Sequence, residues 1–105
     1  MAKIVAIVSD LMLSSRVSES LKAAGHEVSV VAKLPDPLEA DAIVCDLDTA
    51  DLDAVVATNL PTLGFYSHVD IETKQRAKAA GIDIVVPRSR MSRELVTLTA
   101  GLLRT

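Results

Sequence analysis

The chain has 105 residues, which is enough for one domain, spanning residues 1–105, with one modest hydrophobic core. Although 50% of the residues are apolar, only 2% are aromatic and the net charge is −3, which argues against a stacking platform or a basic surface for nucleic acid. A single cysteine, no leader-like start and no apolar run of membrane-spanning length predict a cytoplasmic domain without membrane contacts.

Five short apolar runs rich in β-branched residues predict five β-strands. They lie at residues 4–8, 28–31, 42–45, 62–66 and 82–86. Three of the runs are nearly continuous in apolar residues, which is typical of parallel strands covered by helices on both faces. Because the runs alternate with helical segments, the sequence predicts an α/β fold with a single doubly wound (βα)5 parallel five-stranded sheet.

The first two connections differ in their expected structure. Apolar residues recur at helical spacing from Leu13 to Leu21, and Gly25 follows as a helix stop. The connection after the second run carries Pro35 and Pro37, which are poorly tolerated inside a helix. We therefore expect a full first helix and a shortened second one, reduced to a single helical turn or an extended strap.

The later connections predict three helices. One is short and falls within residues 51–59, and the next is capped by Asp70 and ends at Gly81. The last is predicted to begin at a Ser92 cap. Its apolar stripe consists of Leu95, Leu98, Thr99, Leu102 and Leu103.

The residues that follow the first, third, fourth and fifth runs are the candidates for chemistry, because ligands of such sheets bind outside the carboxyl ends of the strands. They are Ser9, Asp10, Asp46, Asp48, Tyr66, Ser67, His68, Pro87 and Arg88. Clustered carboxylates repel one another, so either a divalent cation or a basic side chain is expected among them. The first alternative places Mg²⁺ on Asp10, Asp46 and the loop at Asp48; the second makes Arg88 the neutralising group. No other cofactor is expected.

Two stretches, "DAIVCD" at residues 41–46 and "KAAGIDIVVPR" at residues 78–88, resemble the receiver domain of two-component response regulators, a CheY-like member of the flavodoxin-like folds. Receivers place an aspartate five residues before the phosphoacceptor, so the resemblance implies Asp46 as the phosphoacceptor. The same resemblance implies a partner histidine kinase as the phosphoryl donor and puts Arg88 at the position of the receivers' lysine.

The resemblance also assigns accessory positions, and several of them depart from the receiver pattern. Receivers carry two adjacent acidic residues after the first strand, where this chain has Ser9 and Asp10. Their hydroxyl residue after the fourth strand falls on Tyr66 by direct count and on Ser67 with a shift of one residue. Arginine at position 88 is not equivalent to lysine, because its planar guanidinium is not a compact point charge.

Our first hypothesis is a receiver-like signalling domain with no output domain and no enzymatic activity of its own. It would dock other signalling proteins, a histidine kinase or a downstream effector, through the last helix–strand–helix face, which also suits a homodimer. The departures favour a degenerate receiver that works without phosphorylation over one phosphorylated on Asp46 in a phosphorelay. The alternatives are a small-ligand or nucleotide-binding flavodoxin-like module and a purely structural dimerising domain.

Three further features are interpreted as structural. His68 lacks a second histidine or cysteine at metal-ligand spacing, so a surface-loop residue is expected. Cys45 lies within an apolar run and is expected in the core. Asp48 and Thr49 do not match the spacing of an Asp-x-Asp-x-Thr phosphohydrolase loop, which argues against that chemistry.

Overall fold

In the computed structural model, which describes residues 2–67 and 71–104, five parallel strands form one sheet in the order β2-β1-β3-β4-β5. The strands are β1 (Lys3–Ile7), β2 (Glu27–Val31), β3 (Ala42–Asp46), β4 (Thr62–Tyr66) and β5 (Ile84–Pro87). The predicted doubly wound parallel sheet is confirmed, with strand ends within one or two residues of those expected. The order reverses direction between β1 and β3, which places the expected ligand edge at the carboxyl ends of these two strands.

Four helices complete the described part of the chain: α1 (Leu11–Ala23), α2 (Leu52–Ala57), α3 (Ile71–Ala80) and α4 (Arg88–Leu103). The predicted first helix is confirmed, and Gly25 adopts the left-handed conformation (φ 94°) that lets the chain turn into β2. The sequence did not reveal its N-cap. Asp10 takes that position, and its Oδ1 accepts a hydrogen bond from the N–H of Leu13 at 3.0 Å.

The connection from β2 to β3 contains no helical turn in residues 32–41, all of which are described. It takes the extended form of the two alternatives, because its prolines at positions 35 and 37 lack the N–H that a helix needs. Leu34, Leu38 and Ala40 nevertheless pack against the core, so the strap covers part of the sheet face that a full helix would cover.

The sheet separates two hydrophobic clusters. The larger lies under α1 and α4 and includes Leu21, Phe65 and Leu95. The smaller lies under α2, α3 and the strap, and includes Cys45, whose side chain is fully buried as predicted. Burial raises the pKa of this thiol to about 12, so Cys45 is a protonated core residue at neutral pH.

The start of α4 corrects one prediction. The helix begins at Arg88 and not after a Ser92 cap, because Pro87 holds the φ of −67° from which the chain turns directly out of β5. No side chain caps this end, and the backbone leaves the helical conformation at Glu94 (φ −121°, ψ 17°). The predicted apolar stripe follows that kink, with Leu95, Thr99 and Leu102 buried.

Two predictions cannot be compared with the structure. The Asp70 cap and the loop residue His68 both lie outside the described residues. Among the helices that are described, none combines the length and the apolar character that a membrane span requires.

Candidate functional site

The carboxyl ends of β1, β3, β4 and β5 bring most of the predicted site residues to one edge of the sheet. Arg88, the first residue of α4, points its guanidinium at Asp10, with Nη2 3.2 Å from Oδ2. The two side chains remain 40% and 44% exposed, so water reaches the pair. Ser9 is exposed beside it and makes no hydrogen bond to another described residue. The basic side chain expected at this edge is therefore present, and its partner is Asp10.

Asp10 has both carboxylate oxygens in use. Oδ1 accepts the N–H of Leu13 and Oδ2 accepts Nη2 of Arg88. These two contacts hold the pKa of Asp10 below its ordinary value, the Leu13 hydrogen bond contributing most and the Arg88 hydrogen bond next. Asp10 is therefore a stable anion that both caps α1 and neutralises Arg88.

Asp46 occupies the centre of the edge, as the last residue of β3. It is only 9% exposed, and its Oδ1 accepts a hydrogen bond from the N–H of Asp48 at 3.0 Å. Burial raises the pKa of Asp46, while the Asp48 N–H and the positive charge of Arg88 act in the opposite direction. No lysine or arginine of the described residues forms an ion pair with Asp46.

Asp48 and Ser67 form a second link across the edge, between the ends of β3 and β4. Oδ2 of Asp48 accepts the Ser67 N–H at 2.9 Å and the Ser67 hydroxyl at 2.6 Å. Tyr66 is buried in the smaller core cluster, so Ser67 is the residue that presents a hydroxyl here. This link between Asp48 and Ser67 was not predicted from the sequence. The register of β3 against β4 accounts for it. Asp46 pairs with Phe65, so Asp48 and Ser67, each two residues further along, lie level with each other.

The carboxylates at this edge are not arranged as a magnesium ligand set. No three His, Cys, Asp or Glu side chains of residues 2–67 and 71–104 come together in a way that would hold a metal ion. Hydrogen-bond donors occupy both carboxylate oxygens of Asp10, Oδ1 of Asp46 and Oδ2 of Asp48, so Asp10 offers no oxygen without a donor to a cation. The position beside Asp10 that would supply another carboxylate is Ser9. The residues present therefore do not fit the metal in this arrangement.

Comparison with known proteins rests on structure. No protein-family model and no curated protein matches the sequence. The fold is similar to that of the chemotaxis response regulator CheY4 of Vibrio cholerae, with a TM-score of 0.83 at 23% identity over 98% of this chain and 99% of that chain. The receiver domain of the Francisella response regulator 1452 gives a TM-score of 0.82 at 16% identity, over 99% of this chain and 98% of that one.

A third similar structure is larger than this chain. NtrX from Brucella abortus gives a TM-score of 0.86 at 17% identity over 98% of this chain, which spans 27% of the NtrX chain. Identities at this level establish shared architecture. The chain has the fold of response-regulator receiver domains, as its resemblance to them implied.

Proposed function

We propose that the chain is a receiver-type signalling module, regulatory and not enzymatic, which works in the cytoplasm by docking other signalling proteins without being switched by phosphorylation. The proposal rests first on the fold, which matches two receiver structures over nearly their whole length. The observation that supports action without phosphorylation is the ion pair between Arg88 and Asp10, beside Asp46.

Phosphoryl transfer to an aspartate needs the developing negative charge to be neutralised, usually by Mg²⁺ held between carboxylates. In this chain Arg88 already neutralises Asp10, and Ser9 supplies no second charge. Burial raises the pKa of Asp46, so the charged form of this carboxyl is disfavoured relative to that of an exposed aspartate. These features together favour a site that stays in one state.

The Asp48–Ser67 link supports the same conclusion. In a phosphorylated receiver the hydroxyl at Ser67 would turn to the phosphoryl group on Asp46, with Arg88 serving in place of lysine. Here the Ser67 hydroxyl instead donates a hydrogen bond to Oδ2 of Asp48 at 2.6 Å. A carboxylate acceptor makes a strong, charge-assisted hydrogen bond, which holds Ser67 in its resting position.

The docking surface that we propose consists of α3, β5 and α4, the last helix–strand–helix of the chain. β5 is an edge strand, and the two helices expose Ile71 (63%) and Val96 (45%). A protein partner would remove these apolar side chains from water on binding. A signalling protein would bind here, and a second copy of the chain would compete for the same surface.

The experiment that tests the proposal is titration with beryllofluoride and Mg²⁺, followed by ¹⁵N–¹H correlation spectra of the uniformly labelled protein. We expect the amide signals of residues 46–48 and 67 to stay in place, both in the wild type and in an Asp46→Asn control. Saturable shifts in the wild type that the control lacks would show a working phosphoacceptor and contradict phosphorylation-independent action. Loss of self-association in Val96→Asp, measured by sedimentation, would support the proposed surface.

A further inference from the structure

A groove of about 260 Å³ lies between the N-terminal turns of α1 and α4, beside the carboxyl edge of the sheet. Its lining is mainly polar and comes from both helices and the residue before α1: Asp10, Met12, Leu13, Arg16, Arg88 and Ser92. Its volume lies below the range of about 300–1,000 Å³ that holds drug-sized ligands. The groove therefore suits one small charged group with little else attached.

The charges of this groove do not balance. Two arginines face one aspartate, and the aspartate is already paired, since Asp10 bonds Arg88 at 3.2 Å. Arg16 forms no ion pair or side-chain hydrogen bond within the described part of the chain, although Glu19 lies on the same helix. The groove thus keeps one uncompensated positive charge at Arg16, next to a second guanidinium whose pairing is exposed to water.

We propose that this groove binds a phosphomonoester, a small molecule with one terminal phosphate group. A guanidinium donates two parallel hydrogen bonds to neighbouring oxygens, so two guanidiniums and the Ser92 hydroxyl match the three oxygens of a terminal phosphate better than the two of a carboxylate. Met12, which is 84% exposed, provides an apolar wall for the group that the phosphate carries. Asp46 does not line this groove, which shares only Asp10 and Arg88 with the candidate site at the carboxyl edge, and the inference does not rest on the proposed signalling function.

The test uses phenyl phosphate and inorganic phosphate as probes, titrated into the full chain with EDTA present, so that Mg²⁺-dependent chemistry at Asp46 is excluded. Binding is followed in ¹⁵N–¹H spectra. We expect saturable shifts at residues 12–17 and 88–92, with phenyl phosphate binding more tightly because of the apolar wall. Arg16→Gln should weaken binding roughly tenfold, which is the usual effect of losing a charge-assisted hydrogen-bonding partner.

Arg76→Gln is the matched control, because Arg76 is an exposed helical arginine outside the groove. It removes the same charge and should leave the affinity within about twofold, since a distant surface charge is screened by salt. Equal weakening in the two variants would show a non-specific charge effect and overturn the proposal. Shifts centred on residues 46–48, or no saturable shift with either probe, would overturn it as well.

Discussion

Arg88 and Asp10 meet across the carboxyl edge of the sheet, with Nη2 and Oδ2 3.2 Å apart, although the two residues are 78 positions apart in the chain. The contact joins the first residue of α4 to the N-cap of α1. An exposed pair of this kind adds little to stability, because water and salt compete for both charges. Its effect is electrostatic, since it neutralises Asp10 and places a positive charge near Asp46.

Replacing Arg88 should change the pKa values of both aspartates. In Arg88→Gln the pKa of Asp10 should rise only part of the way to its ordinary value, because the Leu13 hydrogen bond, the larger cause, remains. The pKa of Asp46, already raised by burial, should rise further. Carboxyl ¹³C titration measures both, with Arg104→Gln as a control; an unchanged pKa at Asp10 would contradict the pairing.

Asp46→Asn should stabilise the protein at neutral pH. Because the folded-state pKa of Asp46 is raised, its contribution favours folding below the unfolded value near 3.8 and is lost as the pH rises through the folded value. Asparagine removes that penalty and still accepts the Asp48 N–H. Urea denaturation from neutral pH down to below 3.8 measures the free energy of unfolding of both proteins. The variant should be the more stable one at neutral pH, and the difference should shrink as the pH falls to 3.8. An advantage independent of pH would contradict the assignment.

Gly64→Ala should be destabilising by about 1–3 kcal/mol, the usual cost of overpacking a filled core. A Cβ at position 64 in β4 would lie 2.8 Å from Cδ2 and 2.9 Å from Cγ of Leu47, so the whole Leu47 side chain would have to move. Leu47 directly follows Asp46, and the substitution should therefore also shift the Asp46 amide signal. Chemical denaturation and an amide spectrum measure the two effects.

The matched control for that substitution is Gly101→Ala in α4. A Cβ there has no neighbour within 4 Å, and alanine is the better helix former, so a gain of about 0.5–1 kcal/mol is expected. Opposite signs in the two variants would trace the cost at position 64 to the Leu47 contact. A loss at both positions would contradict it.

Thr99→Val should stabilise the chain by about 1 kcal/mol, because valine has nearly the same shape and carries no polar atom to desolvate. Thr99 is completely buried in α4, and its hydroxyl oxygen has no hydrogen-bond partner among the described residues. The free energy of unfolding in urea, compared with that of the exposed-site control Thr97→Val, measures the gain. A destabilised Thr99→Val would indicate a hydrogen bond to this hydroxyl.

The sequence predicted the parts of the molecule that depend on short-range patterns. The run at residues 62–66 was placed to the residue as β4, and the prolines at 35 and 37 indicated a single helical turn or an extended strap in place of a full helix. Ser92 was misjudged because a serine ahead of an apolar stripe has the pattern of a cap, whereas Pro87 had already started the helix.

The contacts that define the site were harder to predict, because they depend on register and side-chain reach. The edge residues were identified from their positions after the strands. Arg88 pairs with Asp10 and not with Asp46 because of where α4 starts. Asp48 binds Ser67 because of how β3 and β4 align. The hydrophobic periodicity of the sequence does not predict these two contacts.

The most direct test of the account is the intact mass of the protein after incubation with acetyl phosphate and Mg²⁺. We predict no phosphoryl adduct on the wild type, and an adduct on the double variant Ser9→Asp/Arg88→Lys, which restores the second carboxylate and the compact ammonium. An adduct on the wild type that disappears in Asp46→Asn would contradict the account.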